Sequence, residues 1–320
     1  MQKSRIHHLD VARGIGIILV VLGHLNLPKY MINVIYLFHM PLFMYLSGSV
    51  SGAYSGKRQI KLISSFLIYG TILCLISAMV DEGGLMGRVA CLFSLRPVSL
   101  WNGAPYAGPM WFLLALFTVK LISNFLHLGL LVCAVIFLSI GWFSPAAHYL
   151  SDIPFGIGQA FMLLLFFELG REGLSHHIPS NQSAAIAASF FVGVVLTQMV
   201  FFSGLDEKLV NFHQLEMFDP LLAILGSISG IIVTLWVSAK ISCVKKIPKI
   251  LSWIGKYSFG MYVWHLFVFG ATVKVIRAVS TITNPIALMV FQLSALIVFV
   301  IFYAKIVKIF LSRYKSSIYV

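Results

Sequence analysis

The chain has 320 residues, 59% of them hydrophobic and only 10% charged, with a mean hydropathy of +0.95. Soluble domains carry about 25% charged residues, and no soluble fold of this length could hide so much apolar surface, whereas a bilayer is itself an apolar solvent. The formal net charge of +13 does not signal a nucleic-acid binder, because Lys and Arg sit in short turns between apolar runs and not along one soluble face.

In chain order, ten apolar runs are long enough to be read as helices crossing a hydrocarbon core of about 30 Å. They lie near residues 11–27, 32–53, 62–80, 109–126, 128–143, 153–170, 183–203, 218–239, 257–274 and 285–304. The fifth is short and the second contains Pro41. The N-terminal MQKSRIHHLDVARG opens on basic residues, but the following run lacks a small-residue cleavage site and reads as a retained first helix, not a signal peptide. The reading is therefore an all-α polytopic bundle of about ten helices, one domain over 1–320, with no soluble domain expected at either end.

The charges orient it. Lys29, Arg88, Arg96, Lys208, Lys274 and Arg277 fall in the segments that would be outside; the remaining 17 of the 23 Lys and Arg fall inside. By the positive-inside rule both termini are cytoplasmic. Cys74, Cys91, Cys133 and Cys243 are scattered singly, read as buried small hydrophobes, and no metal site is expected.

Two outer connections are long. Residues 81–108 carry Arg88, Arg96, Trp101, Asn102 and Tyr106 among prolines and glycines, and 204–217 carry Asp206, Glu207, Lys208, His213 and Glu216. Aromatic and polar side chains together suit a sugar, whose apolar faces stack while its hydroxyls hydrogen-bond; an interfacial aromatic belt with solvated charges explains them equally.

Ionisable residues inside a membrane are costly and mark functional candidates. In LDVARGIGIILVVLGH, Arg13 and His24 stand eleven residues apart, so on one helix they share a face to within about 20° and lie about 16 Å apart along the axis. Asp10, one turn before, can pair with Arg13. An arginine at the cytoplasmic edge offers a planar fork to a pyrophosphate. An imidazole three turns deeper could meet the thioester end of a CoA arm and deprotonate an acceptor hydroxyl. Spacing alone also allows a snorkelling Arg13 and a packing His24. Gly14, Gly16 and Gly23 leave room on this helix for close packing or a ligand.

These residues carry a resemblance. RIHHLDVARGIGIILVVLGH resembles the opening of the acyltransferase-3 family of integral membrane O-acyltransferases, with its Arg, ten residues, then His. FHMPLFMYLSG (38–48), PMWFLLALF (109–117) and YSFGMYVWHLF (257–267) continue the likeness in the expected order. The resemblance implies a bundle of about ten helices without the fused esterase-like domain of some relatives, taking acyl groups from cytoplasmic acyl-CoA to surface carbohydrates. It implies that His24 matches the family's essential histidine and Arg13 its essential arginine.

The other candidates follow from position. His39 precedes Pro41 near the depth of His24 and could bind the acceptor or orient His24. Trp111 could stack on substrate or anchor its helix at the interface. Tyr262 and His265 recur on the ninth span with Tyr257 and Ser258; an unpaired imidazole at His265 would be costly, so they could bind substrate or act in catalysis, or hydrogen-bond across helices as structure. Ser47 and Gly48 read as close packing or helix termination, and Glu168 with Arg171 as a structural ion pair. Lys57, Arg58 and Lys61 would join Arg13 in holding the donor's phosphates.

The expected function is O-acyl transfer, with acetyl the commonest acyl group by the resemblance. The donor substrate is acetyl-CoA, the acceptor a polysaccharide, lipid-linked glycan or glycoside, and the place a bacterial inner membrane. No permanently bound cofactor and no nucleic acid are expected. Transfer could be direct or pass through an acyl-histidine. The alternative is a transporter or flippase for a lipid-linked sugar or other anionic amphiphile, which would predict inverted halves with paired broken helices.

Overall fold

The computed structural model describes residues 7–80, 84–143, 149–172, 178–202, 209–244, 246–280, 282 and 284–313. Asp206, Glu207 and Lys208, and the basic residues Lys3, Arg5, Lys245 and Lys315, lie outside the described residues. Every predicted span contains a helix. They are α1 (His7–Gly23), α2 (Lys29–Ser49), α3 (Gly56–Val80), α6 (Trp111–Leu126), α7 (Leu130–Trp142), α8 (Ile157–Arg171), α9 (Asn181–Phe202), α10 (Pro220–Ser242), α12 (Ser258–Val279) and α13 (Pro285–Arg313).

Among the described residues, seven helices are long and apolar enough to cross a membrane. The shorter three are α1, α7 and α8, with 17, 13 and 15 residues. Burial separates inner from outer helices. Only 11% of the α13 span and 22% of the α9 span is buried, against 67% for α2, so α9 and α13 carry the lipid-facing surface while α2 is central. Of α8, all but the ends and a few positions are enclosed, from Gly158 to Gly170.

Lipid tails are as apolar as leucine, so helices in a bilayer associate by close packing and not by the hydrophobic effect. Two crossings rest on glycine for that reason. A Cβ at Gly48 on α2 would overlap the Phe167 carbonyl of α8, and one at Gly170 on α8 would overlap the Tyr45 carbonyl of α2. Gly48 is thus the packing residue the sequence indicated. A second reciprocal pair joins α1 to α11 (Ile247–Lys256): Gly14 lies against the Leu251 carbonyl, and Gly255 against the Asp10 carbonyl. Gly16 and Gly23 face Phe43 and Tyr36 side chains, so all three α1 glycines serve packing.

Pro41 sits within α2 without ending it. Proline lacks the N–H that would bond the carbonyl four residues earlier, here Leu37. Ser227 of α10 supplies the missing donor, its Oγ lying 2.6 Å from the Leu37 oxygen. Farther along the same pair of helices, Gly230 admits the Phe38 ring.

Elements that hydropathy did not mark fill the connections. Between α3 and α6 run α4 (Leu85–Phe93), α5 (Pro97–Gly103) and a 3-10 turn, Gly108–Met110. Before α10, a two-residue hairpin pairs β1 (Val210–Asn211) with β2 (Glu216–Met217). Asp219 caps α10, accepting from Leu222 N at 2.9 Å. The α11 segment, expected as a basic inner connection, is helical and presents Ile247, Ile250 and Trp253 outward beside Lys246, Lys249 and Lys256, the pattern of a helix lying at a membrane surface.

Candidate active site

Chain reversals alternate between two ends of the bundle. The start of α1, the α2–α3 turn and α11 lie at one end; the α1–α2 turn, α4, α5 and the hairpin lie at the other. At that second end a cavity of about 160 Å³ is lined by Val20 and His24 of the α1 terminus and by Tyr36, His39 and Met40 of α2. Trp101 and Asn102 come from α5, Pro109 and Trp111 from the entry to α6, residues 211–214 from the hairpin, and Tyr262 and His265 from α12.

Eight residues singled out from sequence therefore meet here: His24, His39, Trp111, Tyr262 and His265 from the spans, and Trp101, Asn102 and His213 from the long outer connections. The fit is tight. The His24 ring centroid lies 5.0 Å from that of His265, 5.9 Å from Trp101 and 6.2 Å from Tyr36. Tyr36 and His39 are 4.9 Å apart, one helical turn from each other on α2. His213 touches both tryptophans, at 5.2 Å from Trp101 and 5.4 Å from Trp111. Among the described residues, no Asp, Glu, Lys or Arg lines the cavity. Among the described residues, no three of His, Cys, Asp or Glu come together as a metal-ligand set.

The loops are held by specific bonds. Asp152 accepts from the Ser99 N–H at 2.8 Å and from its hydroxyl at 2.6 Å, which fastens α5 and so places Trp101 and Asn102. His213 Nε2 lies 3.0 Å from the Pro97 oxygen, tying the hairpin to the start of α5. Gln159, fully buried on α8, donates from Nε2 to the Ser151 oxygen at 2.7 Å and the His213 oxygen at 2.6 Å. Asn211 donates to Gln214 across the hairpin turn. The cavity wall is thus a cross-linked layer in which a displaced loop would break bonds in two others.

The cations lie elsewhere. Arg13, Asp10, Lys57, Arg58 and Lys61 do not line the cavity. Arg13 and Asp10 approach within 3.6 Å, as the spacing predicted, with the Arg13 side chain 30% exposed and that of Asp10 9%. Lys57, Arg58 and Lys61 are exposed on the first turns of α3, at the same end of the bundle. Helix α1 closes at Gly23, and the His24 N–H bonds back to Val21 O at 3.2 Å. His24 therefore lies just beyond a helix that tightens in its last turn, while Arg13 lies near its start.

Other expectations resolve as packing. Glu168 and Arg171 pair at 2.7 Å, and Arg171 also donates to the Ser123 oxygen at 2.9 Å. Tyr257 takes the Lys256 ammonium over its ring at 5.6 Å and is absent from the cavity wall. Arg88, from the long outer connection, is buried and bonds Ser77 of α3. Tyr36, Asn211 and Gln214 were not singled out from sequence. Tyr36 carried a usable signal, standing three residues before His39 on the same helix face; the two hairpin residues carried none.

A family model described as an acyltransferase domain, the acyltransferase-3 family, matches residues 6–305. The chain belongs to that family, and it is a multi-pass membrane protein of acyltransferase class. No curated protein and no solved structure matches it.

Proposed function

We propose that this chain is an O-acetyltransferase of the bacterial plasma membrane, moving acetyl from cytoplasmic acetyl-CoA to a hydroxyl of a cell-surface or lipid-linked carbohydrate. One observation carries the reading: the half-buried His24 opens on a cavity walled by tryptophan, tyrosine, imidazole and side-chain amide, with no Asp, Glu, Lys or Arg among the described residues that line it. Such a wall suits a hydroxyl-rich ligand, because rings take the sugar's apolar faces while Asn, Gln and His take its hydroxyls.

His24 acts as general base. It takes the proton of the acceptor hydroxyl as that oxygen attacks the thioester carbonyl; the C–O bond forms, the C–S bond breaks, and the CoA sulfur leaves with a proton. Arg13, about 16 Å away along α1, binds the phosphate end of the donor with Lys57, Arg58 and Lys61, while Asp10 holds the Arg13 fork. The donor arm spans the interval, entering from the basic end. Direct transfer in a ternary complex is the proposed route.

The test is transfer of radiolabelled acetyl from acetyl-CoA into glycan by membranes carrying wild type, His24→Ala or Arg13→Ala. Loss of a general base lowers the rate by about 10² to 10⁴, so label should enter glycan with wild type and fall by that factor with His24→Ala. Arg13→Ala should raise the KM for acetyl-CoA. Undiminished labelling by His24→Ala, or glycan crossing the membrane unlabelled with wild type, overturns the reading. Label retained on the protein chain would replace direct transfer by the acyl-histidine route.

A further inference from the structure

His265 is fully buried on α12 and lines the cavity. Its Nδ1 lies 2.8 Å from the Tyr262 oxygen and 3.2 Å from the Met261 oxygen. Both partners are backbone carbonyls, which only accept, so Nδ1 must carry the hydrogen. In the neutral ring Nε2 is then a lone pair and can only accept. That atom is buried and has no hydrogen-bond partner among the described residues. Leaving a buried acceptor unsatisfied is costly, and the large majority of buried polar side-chain atoms in native proteins have a partner, so an exception calls for an explanation. The His24 ring stands 5.0 Å away, and because carbonyls of its own helix hold Nδ1, Nε2 is the ring nitrogen turned away from the α12 backbone.

We infer that His265 Nε2 is the docking point for a second hydroxyl of the acceptor, next to the one His24 deprotonates, so that the acceptor presents a vicinal diol. The inference rests on the acyl-transfer reading. Two imidazoles in ring contact put one nitrogen over each of two oxygens on neighbouring carbons. The fixed tautomer makes His265 a reader of hydroxyls, since an ether oxygen or an ester at that position has no hydrogen to donate. It is a positioning residue: it takes no part in bond exchange and sets which oxygen reaches His24. Acylation of one hydroxyl removes its hydrogen, so a product rotated by one position binds poorly and the diol is acylated once.

The experiment uses full-length chain in membranes with radiolabelled acetyl-CoA and the membranes' own glycan. His265→Leu removes the acceptor atom. His265→Gln returns a carbonyl oxygen near the place of Nε2. Misplacing a reacting group by about 1 Å costs on the order of 100-fold in rate, so transfer to glycan should fall about that much with His265→Leu and recover largely with His265→Gln. The KM for acetyl-CoA should stay at the wild-type value in both. Periodate, which cleaves free vicinal diols, should destroy acceptor capacity when applied to the glycan before the reaction. After it, the labelled sugar should resist periodate and become sensitive once deacylated.

Wild-type transfer by His265→Leu overturns the inference, as does a labelled sugar that stays periodate-resistant after deacylation. So does a rise in acetyl-CoA KM, which would place His265 on the donor arm. Equal loss in the Leu and Gln variants together with a lowered melting temperature in detergent assigns His265 to the fold and overturns it too. Failure of wild type itself to label glycan would instead sink the acyl-transfer reading.

Discussion

At the scale of single residues, the described wall of the cavity is built of aromatic, imidazole and amide side chains, held in place by charged ones set back from it. Asp152 contributes no atom to the cavity wall, yet both its oxygens hold Ser99 and with it the α5 turn bearing Trp101 and Asn102. Hydrogen bonds to a charged acceptor contribute about 1.5 to 3 kcal/mol each, and the partial exposure of Asp152 argues for the low end of that range. Asp152→Ala should therefore slow transfer to glycan by about tenfold or more, through mispositioned aromatic rings, while leaving the acetyl-CoA KM unchanged. Steady-state kinetics with each substrate varied in turn would show it; an altered donor KM would mean that α5 serves the CoA arm. Asp152 was invisible in the sequence because its partner, Ser99, is 53 positions away. Arg13 and Asp10, three residues apart, were legible because helical geometry alone makes them neighbours.

At the scale of elements, the membrane dictates which residues must be small and which carbonyls must find new partners. The α2–α8 crossing is backbone against backbone at Gly48 and Gly170. The α2–α10 contact is a repair, with Ser227 restoring the bond that Pro41 removed from Leu37. Ser227→Ala leaves that carbonyl unsatisfied in a fully buried position, a loss of about 1 to 3 kcal/mol. The variant should melt at lower temperature in detergent, and Ser227→Ala combined with Pro41→Ala should recover most of the loss, because the alanine N–H closes the α2 ladder again. A double variant no more stable than Ser227→Ala would show that the serine acts elsewhere. Pro41 was conspicuous in the sequence, and its rescuer was not, standing 190 positions from Leu37.

At the scale of the whole molecule, the bundle separates a basic end from a cavity end. Arg13, Lys57, Arg58, Lys61, Lys240, Lys249 and Lys256 belong to the first; the α5 turn and the hairpin belong to the second. By the positive-inside rule the basic end is expected in the cytoplasm and the cavity away from it. In a Cys243→Ser background, a cysteine at Met86, 82% exposed on α4, should react with a membrane-impermeant maleimide added to intact cells. A cysteine at Lys57, exposed on α3, should react only after permeabilisation. The reverse pattern would invert the protein in the membrane and with it the direction of transfer.

Composition and hydropathy by themselves determined the solvent of this protein, the helical class and the ten apolar runs, because a chain with 10% charged residues has only helices or a closed barrel open to it in lipid. Local spacing determined the Asp10–Arg13 and Glu168–Arg171 pairs. The gathering of His24, His39, His213 and His265 around one cavity was decided only by tertiary structure. Hydrophobic periodicity records which face of a helix is apolar and says nothing of which helix lies beside which. The hairpin and the α5 turn carry no periodic pattern, being shaped by hydrogen bonds to residues far away in the chain.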